Sequence, residues 1–284
     1  MCYNKRRRKN MLQEAYDLLE KEYQKCFAYV QKDRRFTAFA QEKKRHSFQV
    51  AGAGNYLLRH IQWMQGRSVE FVELVKTAIF LHDICRFAEI CKLFDGVRGF
   101  DHGVEGAKFL QTIPMFNDVR IWLPIKHHGH LIEALYEDEA YQNIADKELQ
   151  AQVQKICFII RDADKIANLN MVTHEDNIWF LFFGKEKADY KPATDGVVSE
   201  IIQKDAFADI TVRRDPNATV ADRAISFLSW FTDVNYQAAI DYCKALDVVP
   251  RLVQIFEDCC SDEAFKRRYL AHFEDYLAKR QYLP

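Results

Sequence analysis

Glycine and proline are scarce in this chain, 10 and 6 among 284 residues, so the turns that separate short strands are correspondingly few. No segment sustains an alternation of apolar and polar residues, which excludes a sheet as the main architecture and leaves an all-α fold as the expectation. No apolar run approaches the length needed to span a bilayer, and no secretory leader is recognisable at the start. An excess of either charge is also missing: 40 Lys+Arg stand against 41 Asp+Glu, a formal net charge of -1. Without a global field to draw it to long nucleic acid or an anionic membrane, the chain must attract any charged substrate through local groups. The eight cysteines, at 2, 26, 85, 91, 157, 243, 259 and 260, lack the paired spacing of a metal finger. Several lie in apolar helical patterns such as Ile156-Cys157-Phe158-Ile159-Ile160, which reads as reduced thiols in a cytoplasmic protein.

What is present is apolar residues, 49% of the chain, at helical intervals. Met1 to Asn10 forms a basic tail around Lys5-Arg6-Arg7-Arg8-Lys9, read as solvated. Leu12, Ala15, Tyr16, Leu19, Tyr23, Phe27 and Val30 then mark a first helix over 11–31. A second, over about 41–65, carries His46, Val50, Leu57 and Ile61 on one stripe. Ser68, with Glu70 and Glu73 behind it, starts a third that is expected to run into His82-Asp83. Asp101 is placed to cap a helix whose first turn holds His102, and Gly106-Ala107 leave room for close packing. A short helix ends at Lys126-His127-His128-Gly129-His130, and a long one from about Lys147 delivers Arg161-Asp162-Ala163-Asp164-Lys165. Beyond Gly184 the character changes through a looser segment, Lys185 to Ala193. Amphipathic stretches over 219–231, 238–256 and 262–277 follow. The expected division is a bundle over 11–183 and a helical extension over 184–284, with no repeat and no low-complexity linker.

Four histidine positions fall where helices begin or end beside acids: His46, His82, His102 and the His127/His128 pair. His60, His174 and His272 are read as ordinary core or surface residues. One helix cannot encircle a cation, so ligands drawn from several helices are what a bundle-core metal site requires. Neutral imidazoles with carboxylates, here Asp83 and Asp164, suit Zn, Fe, Mn or Ni, and the missing thiolate set argues against a structural zinc.

The order His46, His82-Asp83, His102, His128, Asp164 resembles the HD superfamily of metal-dependent phosphohydrolases, whose pattern H…HD…H…H…D lies on a helical bundle. Leu81 to Phe87 is similar to the "LHDIGRF" run of a group of bacterial HD proteins. Asp101-His102 is similar to its "DHxxxGA", and Arg161 to Lys165 to its "RDADK". The resemblance spans about 40–170, and the extension after 184 is also similar to that group. It implies one or two divalent ions. By position, His46, His82, Asp83 and Asp164 would hold the first, Asp83 would bridge, and His102 with His128 would complete a second. Two departures stand out. Cys85 replaces the usual glycine and adds volume and a thiol, and the His127-His128 pair leaves the register open. Asp162 is the alternative to Asp164.

The implied reaction is hydrolysis of a phosphate ester, in a nucleotide or related small molecule, by water acidified on the ions. Asp83, Arg86 and Lys165 are the residues expected to act, the two cations neutralising charge on phosphate oxygens. A plain salt bridge to Asp83, Asp162 or Glu89 is the other use of either cation. Asn168, one turn after Asp164, is a further group able to orient a ligand or face solvent. A guanosine tetraphosphate hydrolase is disfavoured because Arg86 stands where that subgroup has an acid. Rivals from other classes are a non-catalytic nucleotide-binding module and a di-iron oxygenase. The C-terminal helices are open to use as a lid or a homodimer contact.

Overall fold

Helix starts follow the residues that can satisfy the first free N–H groups. In a computed structural model of the protein, which describes residues 10–175, 182–183, 187–212 and 217–284, α1 (Met11–Val30) begins after Asn10, whose side chain accepts from the Leu12 N–H. α2 (Arg34–His60) starts after Asp33, which caps Arg35 and Phe36. That cap sets its start at Arg34 rather than near Gln41 and makes the two helices near neighbours in sequence. Ser68 caps α3 (Val69–Phe80) through the Phe71 N–H. α4 (Arg86–Phe94), α5 (His102–Gln111) and α6 (Val119–His127) follow, and Asp101 caps α5 through the Val104 N–H. Two single-turn helices, α7 (Glu133–Tyr136) and α8 (Glu139–Gln142), lead into α9 (Lys147–His174).

α3 does not run into His82-Asp83 as its periodicity suggests. It stops at Phe80, and residues 81–85 form consecutive turns before α4. The His82 side chain takes the Ile79 carbonyl at 2.9 Å, an acceptor the helix would otherwise use. The break frees His82 and Asp83 from the roughly 100° divergence of neighbouring helical side chains.

The chain divides into two compact units, residues 1–164 and 165–284, the division falling inside α9. In the first, α1, α3 and α9 bury Leu19, Val75, Ile79, Phe80, Ile156 and Ile160 almost completely. Each such side chain contributes about 1.5–3 kcal/mol. Leu123, Leu135, Val153 and Cys157 form a further cluster beneath α7 and α8. α5 lies against the end of α6 because Gly103 has no side chain: a Cβ there would stand 2.9 Å from the Lys126 carbonyl oxygen. Gly106 has only ordinary contacts, so the close approach depends on Gly103.

The second unit contains α10 (Pro192–Asp195), α11 (Glu200–Asp205), α12 (Val220–Ser229), α13 (Gln237–Ala245), α14 (Val248–Cys259) and α15 (Glu263–Lys279). Thr219 and Asp222 form a reciprocal capping box on α12. The single amphipathic stretch expected over 238–256 is two helices, broken at Asp247, whose φ is 57°. Pro250, which has no N–H to donate, sits in the first turn of α14, where the loss costs least.

Among the described residues there is no strand, only an isolated bridge between Tyr236 and Leu283, so the fold is all-α. Among them, too, no helix is long and apolar enough to cross a membrane. The basic run Lys5 to Lys9 and the expected boundary at Gly184 lie outside the described residues.

Candidate metal centre

His82 and His128 are oriented by the same local device. The Nδ1 of His82 donates to the Ile79 carbonyl at 2.9 Å, and the Nδ1 of His128 to the Ile125 carbonyl at 2.7 Å, each three residues back. A carbonyl can only accept, so both rings carry the proton on Nδ1 and turn the Nε2 lone pair inward. Backbone carbonyls holding the outer nitrogen in this way are typical of metal-binding imidazoles.

The inward atoms converge on Asp83. Donor atoms of His46, His82 and Asp83 lie within 4.8 Å of one another, as do those of Asp83, His102 and His128. Asp83 belongs to both groups. Its Oδ1 is 3.1 Å from the His102 Nε2 and 3.4 Å from the His128 Nε2, and its Oδ2 is 3.8 Å from the His82 Nε2. Asp164, from α9, adds a carboxylate to the inner group: its Oδ1 is 2.8 Å from the His46 Nε2 and 3.7 Å from the His82 Nε2.

These residues fit a divalent ion. The Nε2 of His82 is fully buried, has no hydrogen-bond partner, and points between two carboxylates, an arrangement that leaves a buried lone pair unsatisfied unless a cation takes it. Ligands of one ion at about 2.1 Å stand about 3 Å from each other, close to the His46–Asp164 and His102–Asp83 separations. Nitrogen and carboxylate donors without thiolate suit Zn, Fe, Mn or Ni.

Electrostatics separates the two groups. Burial pushes the His82 imidazole down to about 4 against the pull of Asp83 and Asp164, so it stays neutral and able to ligate. Burial also opposes charge on His102, but the carboxylates of Asp83 and Glu89 outweigh it and hold that imidazole up to about 8. Both acids stay ionised despite burial: Arg86, His82 and His102 keep Asp83 well below its ordinary value, and His46 with His82 does so for Asp164.

Arg86 and Glu89 form the rim. The guanidinium of Arg86 lies 3.4 Å from Asp83 and 2.5 Å from Glu89, with one N–H 2.8 Å from the His102 Nε2. Neutral His102 accepts that N–H, and the protonated ring donates to Asp83 instead. Glu89 Oε2 faces the His102 Nδ1 at 3.4 Å, which orients the ring from behind. Lys165 instead pairs with Asp233 at 2.8 Å in the second unit. The open register at the histidine pair resolves geometrically: His128 faces Asp83, whereas the His127 Nε2 is 2.6 Å from Asp138 and belongs to neither donor group. Asp162 is fully buried and also belongs to neither. Burial pushes the Cys85 thiol up to about 12, so it contributes volume rather than a thiolate.

One cation at the site escaped the sequence reading. Lys43 precedes His46 by three residues, on the same face of α2, and is half-buried. Burial lowers its pKa against the charges of Asp83 and Asp164. The i, i+3 spacing of Lys43 and His46 is the signal for it in the sequence.

An all-helical frame gathers imidazoles and carboxylates from α2, the 81–85 turn, α5, the end of α6 and α9 into groups that could hold a metal ion. Residues 44–169 match the family model described as HD domain, a similarity confined to that span. No curated protein and no solved structure gives a significant match.

Proposed function

We propose that the protein is a metal-dependent phosphohydrolase that cleaves a phosphate ester in a nucleotide or related small molecule. The observation that carries this reading is Asp83, one carboxylate shared by two donor groups, with the Arg86 guanidinium fixed beside it. His46, His82, Asp83 and Asp164 would hold one ion, and His102 and His128 with Asp83 a second. A divalent ion supplies a Lewis acid for phosphate oxygens and lowers the pKa of water into the neutral range.

The chain's own groups do the rest. Arg86 presents a planar fork suited to phosphate oxygens, held in place by Asp83 and Glu89. Lys43 brings a second positive charge to the same pocket from α2. Together they offset the negative charge that phosphate brings toward Asp83 and Asp164.

The test is a turnover screen of purified, metal-loaded protein against nucleoside monophosphates, dinucleoside polyphosphates and cyclic nucleotides. Release of phosphate or nucleoside product, abolished by chelator and restored by metal, is expected. Nucleotide binding by calorimetry with no turnover of any member would overturn the hydrolase reading in favour of a binding module.

A further inference from the structure

His127 and His130 lie outside both donor groups but face each other. Oδ2 of Asp138 stands 2.6 Å from the His127 Nε2, and Oδ2 of Asp101 stands 2.8 Å from the His130 Nε2. An ionised carboxylate can only accept, so each ring carries its proton on Nε2 and, as a neutral imidazole, presents a lone pair at Nδ1. The two Nδ1 atoms are 3.3 Å apart. Facing lone pairs at that distance repel unless a positive centre lies between them. We infer that His127 and His130 form a second, separate site for one imidazole-preferring transition-metal ion.

The geometry agrees with this assignment. An ion about 2.1 Å from both nitrogens would see them at about 105°, close to the tetrahedral angle zinc prefers. A carboxylate behind each ring is the arrangement that orients metal-binding imidazoles and raises their basicity. Arg161 holds the intervening backbone, one nitrogen donating to the carbonyls of His127 at 3.2 Å, His128 at 3.1 Å and His130. His127 is buried and the His130 side chain is 33% exposed, so exchange with solvent runs past His130.

Donor type decides the class of ion. The negative charges of Asp101 and Asp138 are matched by Arg161 and by Lys126, whose Nζ is 2.6 Å from Asp138. The two facing donors are imidazole nitrogens, so hard cations such as Mg²⁺ or Ca²⁺, which prefer oxygen ligands, gain little. Zn²⁺, Ni²⁺ and Cu²⁺ gain two nitrogen lone pairs. Two protein donors leave positions for water or an external ligand, which makes the ion exchangeable.

The test uses the full chain, stripped with chelator and titrated with Zn²⁺ alone. Histidine-ring ¹⁵N NMR follows the two Nδ1 signals, and equilibrium dialysis with elemental mass spectrometry counts bound zinc in the wild type and in His130→Gln. The expected result is one zinc equivalent fewer in the variant, with the His127 and His130 Nδ1 signals of the wild type shifting at a common midpoint, and no shift with Mg²⁺. Equal zinc counts in a folded variant would overturn the proposal. So would Nδ1 signals indifferent to Zn²⁺ in the wild type, since the two nitrogens would then share a proton. If His130→Gln does not fold, the wild-type NMR titration alone decides.

Discussion

His82 and His102 approach the same carboxylate from opposite sides and live in opposite surroundings. His82 is sealed, with a side-chain exposure of 0%, and burial drives its pKa down to about 4. The His102 side chain is 16% exposed, backed by Glu89 and touched by Arg86, and its pKa stands at about 8. The difference shows how one acid can serve two tasks. Facing the buried imidazoles of His46 and His82, Asp83 completes a donor group that could hold a cation. Facing the more exposed, charged rim, it meets His102, whose imidazole is held up to about 8 by the carboxylates of Asp83 and Glu89.

Removing the shared atom should abolish the contrast. Asp83→Asn is expected to strip bound metal from both groups and lower kcat/KM by on the order of 10³-fold, read by elemental analysis and turnover. Splitting the two sides should then expose their unequal roles. His82→Gln should cost most of the metal and about 10²-fold in activity, whereas His102→Gln should lose one ion and retain the other. Equal metal loss in the two variants would refute the division. A smaller effect is expected from Arg86→Lys, which keeps the charge and loses the planar fork: about 10-fold in kcat with metal content unchanged.

The smallest effect is a pH profile of the metal-free protein. His102 has a folded pKa of about 8, above the unfolded value of about 6.5, so its contribution is fully present below about 6.5 and lost as pH rises through 8. One and a half units correspond to about 2 kcal/mol at most. His82 works the other way: its folded pKa of about 4 lies below the unfolded value, so acidification from about 6.5 toward 4 protonates the unfolded chain first and destabilises the fold. Urea unfolding across this range should show a stability maximum near pH 6.5, and His102→Gln should flatten only the alkaline side.

Much of the fold is legible in the sequence. Scarce glycine and proline with helical periodicity pointed to helices alone, and Ser68 and Asp101 act as the caps their positions suggested. His46, His82, His102 and His128 lie in two donor groups that share Asp83, and Asp164 stands 2.8 Å from His46. What stayed hidden depends on contacts distant in sequence or on ring rotation. No local feature tells that His127 turns to Asp138 while His128 turns to Asp83. Lys165 is spoken for by Asp233, far along the chain. The breaks at Leu81 and Asp247 were hidden by apolar patterns continuing across them, although Pro250 was a usable signal for the second.

The grip of Arg161 on three carbonyls of one short segment also bears on how such a chain can vary in length. Residues 127–130 are tied by one side chain from α9, so adding a residue between them would break several bonds at once. Beyond His130 the chain runs through the well-exposed Leu131 into single-turn helices. Insertions and deletions in related sequences should therefore gather after position 130 and spare the four residues before it, leaving the distance from α6 to the site fixed while the neighbouring loop drifts.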